Sequence, residues 1–179
     1  MAEEKKEPWL NYLALTTVIL AVCATLATFK GGGYSTRSVL SQSHASDQWA
    51  YYQAKGIKEY IYEIQKEKLE LELEAMRAKA PAKIIGAYEK KLDAYSKKIK
   101  KYEEEKAEIQ KEAKKLEEIR DEAKKHSQAF GIAVIFLQIA ILLSSIAALL
   151  KKKVVWIFGL AVGIIGSVYF VNGFLLFIN

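Results

Sequence analysis

Side chains able to do acid–base chemistry are concentrated in one short stretch of the sequence, residues 41–55. It contains His44, Asp47 and Tyr51, the groups that a catalytic interpretation would have to use. They include no nucleophile–base arrangement. The whole chain has only two histidines and one cysteine, Cys23, which is too few for a histidine-rich or Cys-x-x-Cys metal site. We therefore expect a protein that is not an enzyme and that uses no metal or cofactor.

The same stretch is dense in aromatic and amide groups and low in charge. On a helix, Asp47, Tyr51 and Lys55 share one face at four-residue spacing, whereas Trp49 and Tyr52 share another. Two interpretations stay open. The residues form a docking surface for another subunit or for lipid headgroups, or they form an interfacial aromatic belt at the base of a coiled coil.

The distribution of charge predicts the elements that carry this stretch. The chain has 179 residues, 27% of them charged, and its mean hydropathy of +0.01 is typical of a soluble domain. However, three blocks carry no charge at all, and each is long enough to cross a bilayer as a helix of roughly 20 residues. The sequence thus predicts an all-α membrane protein with this map: N-terminal tail 1–8, transmembrane helix 9–29, flexible linker 30–37, extramembrane helical hairpin 38–126 with its turn at 80–82, transmembrane helix 127–150, basic loop 151–153 and transmembrane helix 154–179.

The basic loop 151–153 predicts how the chain is oriented. Three lysines in a short loop favour the cytoplasm, which places the N-terminus on the same side and the hairpin on the opposite, periplasmic or external side. The basic residues between Lys111 and Lys125 argue for the opposite orientation. They are interleaved with glutamate in a long segment, where the positive-inside rule is weaker.

The charged central region predicts a long antiparallel hairpin of two helices. Gly31–Gly33 is expected to end the first helix as a flexible break. Ala80–Pro81 is the only stop signal further along, because proline disfavours helix in the residue before it. Two arms of equal length lie on either side of this signal.

Heptad periodicity predicts that the two arms form a coiled coil. The second arm has the stronger pattern, with steps of three and four over almost six heptads, and the first arm has a shorter seam plus a second apolar face near the turn. Because two faces of the first arm are apolar, we expect it also to contact a neighbouring copy. The second-arm seam is Ile85, Leu92, Ile99, Lys106, Ala113 and Arg120 at one heptad position and Tyr88, Tyr95, Tyr102, Ile109, Leu116 and Ala123 at the other; the first-arm seam is Ala50, Ala54, Ile57, Ile61, Ile64, Lys68 and Leu71, and the second face is Leu69, Leu73, Met76 and Ala80.

Glycines in the third block predict close helix packing. Gly159, Gly163 and Gly166 lie at spacings that form a groove for another helix. The blocks contain no Asp, Glu, Arg or His, which makes a proton-coupled transporter a poor interpretation.

The stretch 45–55 reads Ala-Ser-Asp-Gln-Trp-Ala-Tyr-Tyr-Gln-Ala-Lys. It resembles a segment of a bacterial membrane-protein family classified as a domain of unknown function. Members have an N-terminal span, a segment of this kind, a Lys/Glu-rich helical region and two closing spans, so the resemblance covers nearly the whole chain. It implies a bacterial inner-membrane protein and no particular reaction.

These observations favour a non-enzymatic structural or scaffolding subunit that self-associates through its hairpin and its transmembrane helices. The expected partners are membrane lipids, further copies of the chain, or another membrane protein. The alternative is a pore-forming or transport-accessory assembly. Nucleic acid is not an expected partner, because the basic residues of the hairpin are mixed with acidic ones instead of forming a patch.

Overall fold

The computed structural model describes residues 8–178, which are arranged as three helices without a strand. Helix α1 is Trp9–Met76, α2 is Ala82–Leu150 and α3 is Lys153–Leu175. The prediction of an all-α protein is confirmed. Each helix contains a segment long and apolar enough to cross a membrane. Of the predicted N-terminal tail, only Pro8 lies within the described residues, and Asn179 lies outside them.

The prediction of a flexible linker at 30–37 is wrong, because α1 continues through these residues as regular helix. Each glycine in a helix costs roughly 1 kcal/mol relative to alanine, and tertiary contacts offset this cost. Gly31 lies directly against Phe130 of α2, where an added Cβ would be 2.9 Å from the Cβ of Phe130. One turn later, the ring of Tyr34 stacks on His126 at 4.4 Å. Packing against α2 therefore overrides the local preference of Gly31–Gly33.

The two connections are short. Residues 77–81 separate α1 from α2, so the non-helical segment begins before the predicted turn at 80–82 and ends at Pro81. Lys151 and Lys152 alone separate α2 from α3, because Lys153 already belongs to α3. Lys151 adopts the left-handed conformation with φ 51°, and the Lys152 amide donates to the Ala147 carbonyl at 3.1 Å. These features reverse the chain within two residues.

The helices divide into two compact units. The first comprises the described residues up to Leu40 and from Ile119 onward. Its core is built around fully buried Phe130 and Leu137 of α2, against which small residues of α1 pack. Four glycines and Asn172 are the buried residues of α3. Small residues thus let three helix backbones approach closely in this unit. The core cluster is Leu20, Ala24, Ala27, Phe130, Ala133, Leu137 and Ala140.

The second unit, Ser41–Glu118, is a pair of antiparallel helices. The direction follows from its contacts, since Trp49 bonds to Glu117 whereas Glu72, later in α1, bonds to Tyr88, earlier in α2. Small side chains such as Ala45 and Ala113 are buried where the helices meet.

The second-arm seam lies on the side of α2 that faces α1, where its members are buried or half-buried. The prediction that the first-arm seam packs against α2 is wrong. Ile57, Ile61, Ile64 and Leu71 are 46–62% exposed, and α1 instead packs through a mostly polar face. That face also steps alternately by four and three residues, and it includes three of the four residues of the predicted second face. Its members are Ser41, Ala45, Gln48, Tyr52, Lys55, Glu59, Tyr62, Lys66, Leu69, Leu73 and Met76, all buried or half-buried.

Candidate interaction site

Two ion pairs lie at the centre of the helix pair in the second unit. The Lys55 ammonium donates to the Glu105 carboxylate at 2.5 Å, and the Lys106 ammonium donates to the Glu59 carboxylate at 2.6 Å. These side chains are largely shielded, since Glu59 is only 8% exposed. Each pair joins α1 to α2. Their crossed arrangement, Lys–Glu followed by Glu–Lys, fixes both the register and the direction of the two helices.

The ion pairs shift the protonation equilibria of their members. The hydrogen bond from Lys55 is the main cause that lowers the pKa of Glu105 below its ordinary value, and the same bond raises the pKa of Lys55. The hydrogen bond to Glu59 likewise raises the pKa of Lys106. Both lysines are therefore charged at neutral pH and act as fixed cations between the helices.

Aromatic side chains extend the contact on both sides of the ion pairs. Toward Ser41, the indole N–H of Trp49 donates to Glu117 at 3.0 Å, and the ring of Tyr52 meets the indole edge-on at 5.6 Å. Toward the turn, the Tyr62 ring lies 5.5 Å from Tyr95 and 5.9 Å from Tyr102. Such aromatic pairs contribute roughly 0.5–1.5 kcal/mol beyond the area that they bury. We call these residues and the two ion pairs the polar ladder: Trp49, Tyr52, Lys55, Glu59, Tyr62, Tyr95, Tyr102, Glu105, Lys106 and Glu117.

The three residues that the sequence grouped on one polar face have different surroundings. Lys55 turns toward α2, although its ammonium also lies 5.1 Å from the centre of the Tyr51 ring. Tyr51 is 50% exposed, and Asp47 is exposed. Tyr51 and Lys55 are therefore in contact, and Lys55 also joins α1 to α2 through Glu105. Trp49 and Tyr52 do lie together, within the polar ladder.

The predicted α2 residues all face α1 in the second unit. Tyr95 and Tyr102 belong to the polar ladder, and the Tyr88 hydroxyl lies 3.4 Å from Glu72. Leu92 and Ile99 are half-buried on the same side. Their contacts are thus made within one chain, and a neighbouring copy would have to use other residues.

Glu59, Glu105 and Glu117 are contact residues that the sequence did not predict. A signal was present, because Glu59 lies four residues after Lys55 and three before Tyr62, at the same alternating spacing as the apolar positions. Charged residues at such positions are easily taken for a solvated face.

The three predicted glycines of α3 face helices of the same chain in the first unit. An added Cβ at Gly166 would lie 2.9 Å from the Leu137 backbone nitrogen, and one at Gly163 would lie 3.1 Å from the Leu20 side chain. An added Cβ at Gly159 would lie 3.3 Å from the Ala140 carbonyl oxygen. These glycines set the distance between α3 and its neighbours. Gly173, seven residues after Gly166, has the closest neighbour, since an added Cβ there would lie 2.6 Å from the Phe130 ring.

A polar contact in the first unit involves His126. Its Nδ1 lies 2.8 Å from the Gly173 carbonyl oxygen, and since that oxygen can only accept, Nδ1 carries the proton. The ring stacks on Tyr34. His126 thereby joins α1, α2 and α3. His44, the other histidine, is exposed.

No group of three or more His, Cys, Asp or Glu side chains within residues 8–178 could hold a metal ion. The acidic and basic groups of the polar ladder are bound to each other across the helix pair. What the arrangement does chemically is hold two long helices in a defined register.

The fold and these contacts define an all-helical protein with three helices able to cross a membrane. A family model, described as a domain of unknown function, DUF4337, matches residues 9–176. The chain belongs to this family, and its predicted resemblance to a family of unknown function is confirmed. The match covers all three helices completely and leaves out only the two ends of the chain. No curated protein and no solved structure matches the chain.

Proposed function

We propose that the protein is a non-enzymatic structural subunit of a bacterial inner membrane, and that it self-associates into a scaffold. One observation carries this proposal: the two most shielded ion pairs of the second unit, Lys55–Glu105 and Lys106–Glu59, join α1 to α2. A catalytic group needs access to a substrate. Groups that are shielded by a partner helix contribute register and stability instead.

The proposed membrane topology rests on the three apolar segments and their flanks. The segments 9–29, 127–150 and 154–178 cross the bilayer, and the lysines at 151–153 face the cytoplasm. The N-terminus lies on the same side, and the second unit lies in the periplasm, where α1 and α2 form a coiled coil.

Lipid headgroups are a proposed partner of the segment just after the first apolar block. Lys30 and Arg37 lie seven residues apart and thus on one side of α1, with Gly33 between them. They line a concavity of about 640 Å³ together with Tyr34. Long basic side chains at the edge of a membrane-spanning segment extend toward headgroup phosphates, and here the glycine leaves room for the headgroup.

The test is the size and symmetry of the full-length particle after extraction into lipid nanodiscs. An oligomer of one chain type is the expected result, and a strictly monomeric particle would refute self-association. A complex with a different membrane protein would point to an accessory subunit. A closed ring that releases ions from liposomes would favour the alternative, a pore-forming or transport-accessory assembly.

A further inference from the structure

Exposed apolar side chains in the second unit lie almost entirely on α1. Within residues 41–118, the large exposed side chains of α1 include three isoleucines and a leucine, whereas the only one on α2 is Ile84. We call the α1 residues at alternating spacing the outer stripe. It consists of Ala50, Ala54, Ile57, Ile61, Ile64, Lys68 and Leu71, all exposed.

The spacing of the outer stripe fits another helix. Its steps alternate between four and three residues, the pattern of a seam that packs against a helix by knobs-into-holes contacts. The face of α1 that packs against α2 lies on the opposite side with the same alternation. A single helix with two such seams binds two helices, and α2 occupies only one of them. Lipid does not require this spacing, because a membrane surface contacts a broad face.

The residues beside the outer stripe oppose like charges at only one kind of position when a second copy is aligned in parallel. In a parallel pair, residues five apart on the two copies face each other across the seam. This pairs Gln53 with Lys58, and Tyr60 with Gln65, neither of which opposes like charges. The third pair joins Glu67 to Glu72, with Lys68 at the centre of the seam between them.

Lys68 offsets part of the repulsion in this third pair. Its ammonium already lies 3.9 Å from Glu72 of its own chain. In the parallel pair, the two Lys68 ammonium groups lie among four carboxylates and offset half of their negative charge. A single lysine at such a position also fixes the register of a helix pair at some expense of stability.

Copies in one membrane also have the required direction. Every copy inserts with the same orientation, and α1 runs without a break from its apolar segment to Met76. Neighbouring α1 helices therefore run in the same direction.

We propose that the outer stripe is the surface on which a second copy binds, α1 against α1 in parallel. This inference rests on the proposed function as a self-associating subunit and specifies which surface does so. The polar ladder holds each hairpin together, and the outer stripe joins two hairpins.

Disulfide crosslinking of full-length protein in native membranes tests the proposal. Cys23 is first replaced by alanine, and then a cysteine is introduced by Ile61→Cys or, as the matched control, by Glu63→Cys. Both positions are exposed, but Glu63 points about 160° away from Ile61 around the helix. We expect a dimer from Ile61→Cys under mild oxidation, and at least tenfold less from Glu63→Cys. Equal crosslinking at both positions, or a product containing a different protein, would overturn the proposal.

A substitution that strengthens the interface avoids the problem of a variant that fails to fold. Lys68→Leu makes the seam continuously apolar, and we expect it to raise the fraction of crosslinked Ile61→Cys severalfold. Ile57→Asp combined with Ile64→Asp should abolish the crosslink without changing the helical circular dichroism. If the wild-type particle is oligomeric but neither change affects crosslinking, the outer stripe is not the contact between copies. The proposed function then stands. If the wild-type particle is monomeric, both fail.

Discussion

Gly31 and Gly32 are neighbours in α1 with opposite surroundings. A Cβ on Gly31 would lie 2.9 Å from the Cβ of Phe130, whereas a Cβ on Gly32 would meet nothing within 4 Å. The Cβ of Phe130 cannot move aside as a side-chain tip could, because it is attached to the α2 backbone. The two positions therefore separate the effect of helix propensity from that of packing.

We predict that Gly31→Ala destabilises the first unit and that Gly32→Ala does not. Overpacking of this kind costs about 1–3 kcal/mol, while alanine at an open helical position stabilises by about 0.4–1 kcal/mol. Thermal unfolding of both variants in the same detergent measures the difference. Equal effects of the two substitutions would contradict the packing of Gly31 on Phe130.

The Lys55–Glu105 pair predicts how the stability of the second unit depends on pH. The pKa of Glu105 is lowered in the folded state, so its contribution is complete above the ordinary value of 4.5 and is lost as the pH falls through the folded pKa. The pKa of Lys55 is raised, so its contribution is complete below 10.5 and is lost as the pH rises through the folded pKa.

We expect Glu105→Gln to remove part of the loss of stability below pH 4.5, while lowering the melting temperature at neutral pH. Glu103→Gln, at an exposed position two residues away, is the control and should follow the wild-type curve. Melting temperatures of the full-length protein between pH 3 and pH 7 give the answer. Identical acid profiles for wild type and Glu105→Gln would show that the pair does not contribute.

At the scale of the elements, the pairing of α1 with α2 depends on charge as well as on apolar contact. The Lys106–Glu59 pair is more shielded than the other ion pairs of the second unit, with 23% and 10% of the two side chains exposed. Breaking one partner of such a pair leaves a charge without compensation between the helices.

We predict that Glu59→Lys lowers the melting temperature of the second unit by several degrees. Adding Lys106→Glu should restore most of the loss, although the Lys106 ammonium also gives up its position 5.3 Å from the Tyr52 ring. The control is Asp93→Lys, which breaks an exposed pair within α2 and should change the melting temperature by about a degree, since such pairs contribute little. Failure of the double variant to recover would mean that the two residues do not interact.

The sequence predicted α2 better than α1 for a physical reason. Leu92, Ile99 and Ile109 are apolar at heptad spacing, and apolar residues at that spacing lie at a helix contact. In α1 the most apolar seam is the outer stripe, and the face that pairs with α2 carries Lys55, Glu59 and Tyr62. Each of these residues needs a partner on α2, and heptad spacing within one helix does not identify such partners.

The glycines show the same contrast. Gly159, Gly163 and Gly166 lie in an apolar segment, where small residues are expected at helix contacts, and they lie at such contacts. Gly31–Gly33 were expected to end a helix, as glycines do in an isolated peptide. The contact of Gly31 with Phe130, ninety-nine positions later in the chain, keeps α1 helical. Helix propensity depends only on local sequence and therefore cannot predict this contact.

At the scale of the whole molecule, the proposed orientation can be measured with two cysteines. In a Cys23→Ala background, Lys100→Cys lies in the second unit and Lys152→Cys lies between α2 and α3, and both positions are exposed. We expect a membrane-impermeant maleimide added to spheroplasts to label Lys100→Cys completely and Lys152→Cys only after permeabilisation. The reverse pattern would invert the topology while leaving the three spans in place.

The two-residue connection between α2 and α3 has a consequence for biosynthesis. Lys151 and Lys152 are too few to let α2 enter a bilayer while α3 waits in water, and the mean hydropathy of the most apolar stretch is 2.6 in α2 and 2.3 in α3. We therefore expect the two segments to enter the insertion machinery as one unit. Nascent chains that stop at Leu150 expose the apolar end of α2 without its partner, so we expect the cell's quality-control proteases to degrade them.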